Sequence, residues 1–293
     1  MKFINFGSLN IDYVYRVPRF VQPGETLSSL DLSVGCGGKG LNQSVALAQA
    51  GAETYHAGLL GDGAEFLREK LLEKGVRCEY LRRYPGANGH AIIQVNEQGQ
   101  NCILLYPGTN HALTRALIDE VLDRFAAGDV LLLQNETNEL SYLMEAASAR
   151  ALRVALNAAP MTKAVPQYPL SLLKWLLVNE TEGAALTGQT DTACIADALA
   201  ERLPQTEIVL TLGTEGAIYR CGAERVFVPA RRVAAVDTTA AGDTFTGYFL
   251  AARAEGKDAE YAMRLATAAS AIAVTRHGAA DSVPTLAEVR ATL

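Results

Sequence analysis

Two segments of the chain combine glycine with residues that can hold a phosphate or move a proton. The first is Gly35-Cys36-Gly37-Gly38-Lys39-Gly40, and the second is Asp237-Thr238-Thr239-Ala240-Ala241-Gly242-Asp243-Thr244-Phe245. Each runs into a pattern typical of a helix, and the free amides at a helix N-terminus bind anions. Both segments are therefore candidate phosphate sites.

The second segment also carries a carboxylate. Small residues run directly into the helix, so the amides around Ala240–Asp243 are expected to be unpaired and to form an anion hole for a phosphoryl group. Asp243 then lies in the first turn. It either complements the helix dipole, which contributes about 0.3–1 kcal/mol, or acts as the general base that accepts the proton of an acceptor hydroxyl during phosphoryl transfer.

The first segment satisfies G-x-G-x-x-G, and Asp62 follows at a suitable distance, so an NAD-dependent dehydrogenase is an alternative. Against it, the preceding run Leu27–Val34 alternates polar and apolar residues, whereas the first strand of a dinucleotide-binding fold is buried on both faces. The segment is not a Walker A loop, because Lys39 is followed by Gly40. A tight turn without a ligand and a close approach of backbone to a ligand both remain open.

Polar residues follow three apolar, strand-like runs. Asn179-Glu180-Thr181-Glu182 comes directly after one run, Glu136 after a second, and Asn10 with Asp12 after the N-terminal one. Open α/β sheets bind ligands at the carboxyl ends of their strands, where carboxylates also suit Mg²⁺. We expect Asn10 and Asp12 to bind hydroxyl groups, although polar strand-to-helix turns would give the same pattern.

The elements that must position these residues alternate along the chain. Apolar runs typical of buried strands are Lys2–Phe6, Thr54–Leu59, Val130–Leu133, Val154–Asn157, Trp175–Asn179 and Ile208–Leu212. Amphipathic patterns between them are typical of helices, such as Leu41–Ala50 and Leu140–Ala149. This alternation predicts an α/β fold with three layers and a doubly wound, mostly parallel sheet.

Two stretches break the alternation. Tyr13–Val34 and His90–Tyr106 have the mixed strand patterns and turn signals of antiparallel hairpins outside the main sheet. We expect a single domain over residues 1–293, with a small second sheet formed by insertions at about 13–34 and 90–106. This sheet would be a lid over the site or a dimer contact, since an open sheet edge favours pairing.

The composition narrows the function. The chain has 26 basic and 32 acidic residues and a formal net charge of −6, which argues against a nucleic-acid or membrane partner. Its five cysteines form no C-x-x-C pair, so neither a disulfide framework nor a zinc site is indicated. With no apolar stretch near the 18 or so residues of a membrane span and no signal-peptide core, a cytoplasmic protein is expected.

Together these segments resemble the ribokinase-like (PfkB) family of carbohydrate and nucleoside kinases, with the ribokinase branch as the most similar, over nearly the whole chain. Gly38-Lys39-Gly40-Leu41-Asn42-Gln43 is similar to the family's first signature, and Asp237–Phe245 is similar to its second. Pro23-Gly24-Glu25-Thr26, Asn179–Glu182 and Thr211-Leu212-Gly213 follow in the expected order. Several signatures in the expected order over the whole chain are far more specific than a single glycine motif.

The resemblance implies a central sheet with a β-lid, ATP and Mg²⁺ as cosubstrates, and phosphorylation of a primary hydroxyl of a small sugar. Ribose is the first candidate acceptor, and deoxyribose, a ketohexose or a nucleoside are alternatives. A monovalent cation such as K⁺ and a homodimer through the lid are also expected. A catalytically silent sugar-binding regulator is a further alternative, but it should lack Asp243 or the glycines before it.

The resemblance also assigns roles to residues. Asp243 is the catalytic base, with Ala241 and Gly242 in the anion hole. The residues expected to line the sugar site are Asn10, Asp12, Gly38, Lys39, Asn42 and Glu136. Those expected near the nucleotide are Asn179, Glu182, Thr211, Gly213 and Gly216, with Glu182 also near Mg²⁺ through a water molecule. Those expected at the monovalent cation are Asp237, Thr239, Ala273, Arg276, Gly278 and Ser282.

Two residues depart from the usual ribokinase pattern. Leu41 stands where alanine is common and Cys36 where an aromatic residue is usual. Both are expected near the sugar, where a change of pocket shape contributes about 1–3 kcal/mol to discrimination between substrates.

Overall fold

The secondary structure alternates as the sequence predicts, in a computed structural model that describes residues 1–293. The strands are β1 (Lys2–Phe6), β2 (Asn10–Arg16), β3 (Asp31–Gly37), β4 (Glu53–Asp62), β5 (Arg77–Ala87), β6 (His90–Val95), β7 (Asn101–Tyr106), β8 (Val130–Gln134), β9 (Arg153–Asn157), β10 (Leu173–Asn179), β11 (Glu207–Thr211), β12 (Gly216–Cys221) and β13 (Glu224–Pro229). The helices are α1 (Lys39–Gln49), α2 (Glu65–Glu73), α3 (Arg115–Leu122), α4 (Leu140–Ala149), α5 (Glu180–Thr187), α6 (Thr192–Arg202), α7 (Ala241–Ala254), α8 (Ala259–Ala273) and α9 (Leu286–Arg290).

Nine strands form the main sheet, in the order β13-β12-β11-β10-β9-β8-β1-β4-β5. The strands from β11 to β5 are parallel, and only the pairs β11–β12 and β12–β13 at one edge are antiparallel. Strands such as β8 are buried at every position, because helices cover both faces. The prediction of a doubly wound, mostly parallel sheet is confirmed.

The core consists of two apolar clusters, one on each face of the main sheet. Along β1, Phe3 belongs to one cluster, while Ile4 and Phe6 belong to the other, because successive side chains of a strand point to opposite faces. The first cluster contains the alanine-rich helices α7 and α8. There, a Cβ atom at Gly247 would lie 2.4 Å from the Cβ of Ala46, so glycine is what allows α7 to approach α1 closely.

Four strands form the second sheet, in the order β3-β2-β6-β7. β2–β3 and β6–β7 are antiparallel hairpins as predicted, but the central pair β2–β6 is parallel. β2 follows β1 and β6 follows β5. Because β1 and β5 are parallel strands of the main sheet, their carboxyl ends lie on the same side of it, and the chain enters β2 and β6 from that side. The sheet begins at Asn10, so Asn10 and Asp12 lie within β2 rather than in a loop after β1.

The sequence analysis did not identify β5 or helices α5 and α6. β5 is mostly exposed and occupies an edge of the main sheet, so it lacks the apolar pattern of a buried strand. None of the helices has the length and apolar character needed to span a bilayer.

Candidate active site

A cleft of 230 Å³ opens at the carboxyl ends of β9, β10 and β11. The N-termini of α1, α5 and α7 all contribute to its wall. Seven of the residues singled out from the sequence come together here, namely Lys39, Asn179, Glu182, Thr211, Ala241, Gly242 and Asp243. Asn157 and Thr246, which the sequence analysis did not single out, also line the cleft.

The turn before α7 presents free amides to this cleft. Ala240 has a left-handed backbone (φ 59°), which turns the chain sharply into the helix. The amides of Gly242 and Asp243 donate to no protein acceptor, whereas the Ala241 amide donates to the Thr238 carbonyl at 3.3 Å. The expectation of wholly unpaired amides is therefore wrong for Ala241. The remaining free amides lie at a helix N-terminus and form an anion-binding site.

Asp243 is buried, with 7% of its surface exposed. The Nδ2 of Asn42 donates to its Oδ2 at 3.1 Å, and the Nε2 of Gln43 donates to its Oδ1 at 2.8 Å. Asp243 is also the main cause of a raised pKa at Lys39, although burial of the ammonium acts in the opposite direction. The carboxylate thus accepts a hydrogen bond on each oxygen and has a cation nearby.

Glu136 fixes the start of α1. Its Oε2 accepts from the backbone nitrogen of Lys39 at 3.0 Å and from the hydroxyl of Ser8. The Ser8 hydroxyl oxygen in turn accepts from the Gly40 amide at 3.2 Å. Burial raises the pKa of Glu136, and the charge of Lys39 opposes this. Glu136 therefore accepts from the Lys39 amide directly and holds the Ser8 hydroxyl that accepts from the Gly40 amide. The sequence did not reveal this role, because Ser8, Lys39 and Glu136 are far apart along the chain.

Backbone packing explains most of the glycine-rich segment. Gly38 has φ 95°, and a Cβ at Gly40 would lie 2.3 Å from the Ser8 nitrogen. The strand that precedes α1 is β3 of the second sheet, whereas the dinucleotide-binding fingerprint requires a strand of the main sheet. The structure therefore does not support the dehydrogenase alternative.

Asp12 has no hydrogen-bond donor within the protein, and its carboxylate lies directly over Gly37, where a Cβ would approach it to 2.0 Å. Burial, and to a smaller extent the charge of Glu136, raises the pKa of Asp12 to about 7. It lines a larger cavity of 650 Å³ between the second sheet and the segments 235–239 and 277–279. A carboxylate in this position can accept hydrogen bonds from the hydroxyls of a ligand.

The other residues predicted for the sugar site do not line this cavity, and Lys39 lines the smaller cleft instead. Asn10 is buried, and its Oδ1 accepts from the Nδ2 of Asn110 at 2.7 Å. Cys36 lines the larger cavity. Leu41 does not, because it is fully buried in the apolar core. The expectation that Leu41 reshapes the sugar pocket directly is therefore wrong.

Asn179 and Glu182 form a capping box at the start of α5. The Glu182 amide donates to the Asn179 Oδ1 at 2.9 Å, while the carboxylate accepts from the Asn179 backbone and side-chain nitrogens at 3.0 Å each. Burial raises the pKa of Glu182. The pair therefore has a structural role in the helix, and the carboxylate faces the cleft with both oxygens already accepting.

The two glycines predicted near the nucleotide differ in their surroundings. A Cβ at Gly216 (φ 134°) would lie 2.2 Å from the carbonyl oxygen of Val228, so close contact with β13 requires glycine there. Gly213 (φ 51°) faces open space. Neither lines the cleft, in contrast to Thr211.

Asp237 joins the two segments predicted to hold a monovalent cation. Its Oδ1 accepts from the Thr239 amide at 2.9 Å and its Oδ2 from the Gly278 amide at 3.0 Å. Although partial burial acts in the opposite direction, these bonds keep the pKa of Asp237 below its ordinary value. The Arg276 side chain points elsewhere, to Glu288 at 2.6 Å, and the Ser282 hydroxyl donates to the Ala279 carbonyl at 2.7 Å.

The comparisons with known proteins agree with this geometry. The model of the pfkB family of carbohydrate kinases matches residues 2–286. The chain is 34% identical to the ribokinase of Haemophilus influenzae, covering 96% of this chain and 95% of the relative. It is 32% identical to the deoxyribokinase of Salmonella typhi, covering 96% and 94%. The structure of Arabidopsis thaliana ribokinase complexed with ribose and ATP superposes with a TM-score of 0.89 at 29% identity, covering 99% of this chain and 97% of the other.

A doubly wound α/β fold with a second small sheet and an anion site beside a buried carboxylate defines a phosphotransferase of the ribokinase-like fold. The chain belongs to the pfkB family of carbohydrate kinases. It is therefore a carbohydrate kinase, as the sequence predicts.

Proposed function

We propose that this enzyme transfers the γ-phosphoryl group of ATP to a primary hydroxyl of ribose, with Asp243 as the general base. The observation that carries the proposal is the juxtaposition of the Asp243 carboxylate with the free amides of Gly242 and Asp243 in one cleft. The names of the relatives support the acceptor, and the relative solved with ribose and ATP supports the nucleotide.

In this mechanism the acceptor hydroxyl donates a hydrogen bond to Asp243, which takes its proton as the oxygen attacks the γ-phosphorus. The free amides and the Lys39 ammonium stabilise the charge that develops on the phosphoryl oxygens. Asp12 holds another hydroxyl of the sugar, with Gly38, Asn10 and Asn42 shaping the floor. The second sheet covers the larger cavity and excludes water, which would otherwise compete as the acceptor.

The residues of the cleft fit a nucleotide with Mg²⁺. Thr211 and Asn179 are the last residues of β11 and β10 and line the cleft. Because both oxygens of Glu182 already accept hydrogen bonds, we propose that Glu182 holds Mg²⁺ through a water molecule. Magnesium would neutralise part of the negative charge on the phosphates.

We also propose a K⁺ site around Asp237. The structure contains no group of three or more His, Cys, Asp or Glu side chains suited to a metal, so such a site would use mainly backbone oxygens of the two joined segments. The residues concerned are Asp237, Thr239, Ala273, Arg276, Gly278 and Ser282. Replacing K⁺ by tetramethylammonium should then lower kcat, and an unchanged rate would contradict the site.

The second sheet supports a homodimer. β7 is exposed along its whole length, including Leu104 at 67% and Ile103 at 52%, and an open apolar edge favours pairing with a second copy. A monomer by sedimentation at micromolar concentration would refute this proposal.

All five cysteines are free thiols, which supports a cytoplasmic location.

The test is ADP release from ATP and Mg²⁺ over ribose, deoxyribose, other pentoses, ketohexoses and nucleosides. We expect turnover with ribose and a loss of at least about 10²-fold in Asp243→Asn, the usual scale for a missing general base. Preference for deoxyribose would place the enzyme with its Salmonella typhi relative. Binding of sugar without turnover would indicate a silent regulator, and near-normal turnover of Asp243→Asn would refute the base.

A further inference from the structure

A continuous chain of buried polar side chains runs from the catalytic carboxylate into the core. Its five members are Gln43, Gln134, Asn5, Ser44 and His56, and each has no exposed surface. They come from α1, β8, β1 and β4, which are separate in sequence. Burying so many polar groups costs free energy unless each is well paired, so this row of polar side chains requires an explanation.

The direction of every hydrogen bond follows from the far end. The Gly7 carbonyl can only accept, so the Nε2 of His56 at 3.2 Å carries the proton, and its Nδ1 accepts from the Ser44 hydroxyl at 2.8 Å. The Ser44 oxygen is then free to accept from the Nδ2 of Asn5 at 2.8 Å. Burial lowers the pKa of His56 to about 4, so this end stays neutral at physiological pH.

The same direction continues to the carboxylate. Gln134 uses both amide hydrogens, one to the Oδ1 of Asn5 at 3.0 Å and one to the Oε1 of Gln43 at 2.7 Å. Its own oxygen has no partner. With its oxygen occupied by Gln134, Gln43 must direct its Nε2 to Asp243, which it reaches at 2.8 Å.

We infer that Gln43, held in one orientation by Gln134, is the positioning residue that aims the Asp243 carboxylate at the acceptor hydroxyl. This inference rests on the proposed function, because it assigns Asp243 as the base. Asn42 directs its Nδ2 to the other oxygen and leaves its own oxygen unpartnered. Asn42 and Gln43 thus both donate to the same carboxylate, while Asn42 and Gln134 each leave their own oxygen without a partner.

The charged groups that face Asp243 are Lys39 from α1, Glu136 after β8 and Glu182 from α5 across the cleft. Removing Gln43 leaves all of these in place. Loss of Gln43 therefore removes the hydrogen bond that orients this carboxylate and no nearby charge. The rate of phosphoryl transfer should fall while both substrates still bind.

The experiment measures the single-turnover rate of phosphoryl transfer at saturating substrates, so that product release does not mask the chemical step, together with KM for ATP and for ribose. The variant is Gln43→Met, which keeps the approximate size and removes the donor. We expect the rate to fall about 10- to 100-fold, the scale of a hydrogen bond to a charged group, with KM for both substrates within about threefold. Gln134→Met should give a smaller loss of about 2- to 10-fold, the scale of a neutral hydrogen bond.

Leu47→Ala is the matched control. Leu47 lies on the same helix, is fully buried and loses core packing without touching Asp243, so Leu47→Ala should lower the thermal midpoint and keep a single-turnover rate close to that of the wild type. If Gln43→Met does not fold, the same comparison is made with Gln134→Met. A wild-type rate in the folded glutamine variant, or a loss of rate equal to that of Leu47→Ala, would overturn the inference. In that case an inactive Asp243→Asn would leave the proposed function intact, whereas an active one would remove both.

Discussion

Asp12 should make the free enzyme less stable at neutral pH. Its pKa rises from 3.8 to about 7 in the folded protein, a shift of roughly three units that corresponds to ~4 kcal/mol at 1.36 kcal/mol per unit. Because the side chain keeps some contact with solvent, we expect about half of this, ~2 kcal/mol. The unfolded chain ionises near pH 4 and the folded chain near pH 7. The cost is therefore absent below about pH 4, grows between the two values and is complete above pH 7.

Asp12→Asn removes this cost. Urea denaturation without ligand should give a variant that is more stable than wild type by ~2 kcal/mol at pH 8, with a smaller gain at pH 5. Ribose affinity should fall about 10- to 100-fold, because a hydrogen bond to a charged group is lost. Asp31→Asn is the control, since Asp31 is exposed at the far end of the β2–β3 hairpin. An equal gain at both pH values, or none at pH 8, would refute the reasoning.

Two further predictions concern the scaffold. Gly247→Ala should destabilise the fold by about 1–3 kcal/mol, the usual cost of overpacking, because the added Cβ would lie 2.4 Å from that of Ala46; an unchanged thermal midpoint would contradict this. Glu207 is buried between Lys174 at 3.0 Å and Arg253 at 2.7 Å, so Glu207→Gln should cost about 2–3 kcal/mol at pH 7. Burial raises the pKa of Glu207, but the two cations outweigh this effect and lower it. The loss of stability in Glu207→Gln should therefore become smaller below about pH 4, where the wild-type carboxyl is also protonated. A loss of stability that does not depend on pH would refute the ion-pair explanation.

Much of the main sheet could be predicted because its signal is local. A strand buried on both faces is mainly apolar, as β8 is at four of its five positions and β1 at three of its five. The turn into α7 is equally local, since small residues, a helix start and Asp243 lie within one short segment. The edge strand β5 gave no such signal, because an exposed edge has no face that must be apolar.

The sequence by itself determined most of the buried strands, the α/β class and the position of Asp243 at a helix start, because each depends on neighbouring residues and on backbone geometry. Only the tertiary structure decided what surrounds that carboxylate. Gln43 and Asp243 are 200 positions apart, and Gln43 and Gln134 are 91 apart, yet they meet because α1, α7 and β8 pack together. The sequence does not show which hydrogen-bond partner a buried glutamine will have. Hydrogen bonding depends on the distance and direction between two groups, and both are set only when the layers pack.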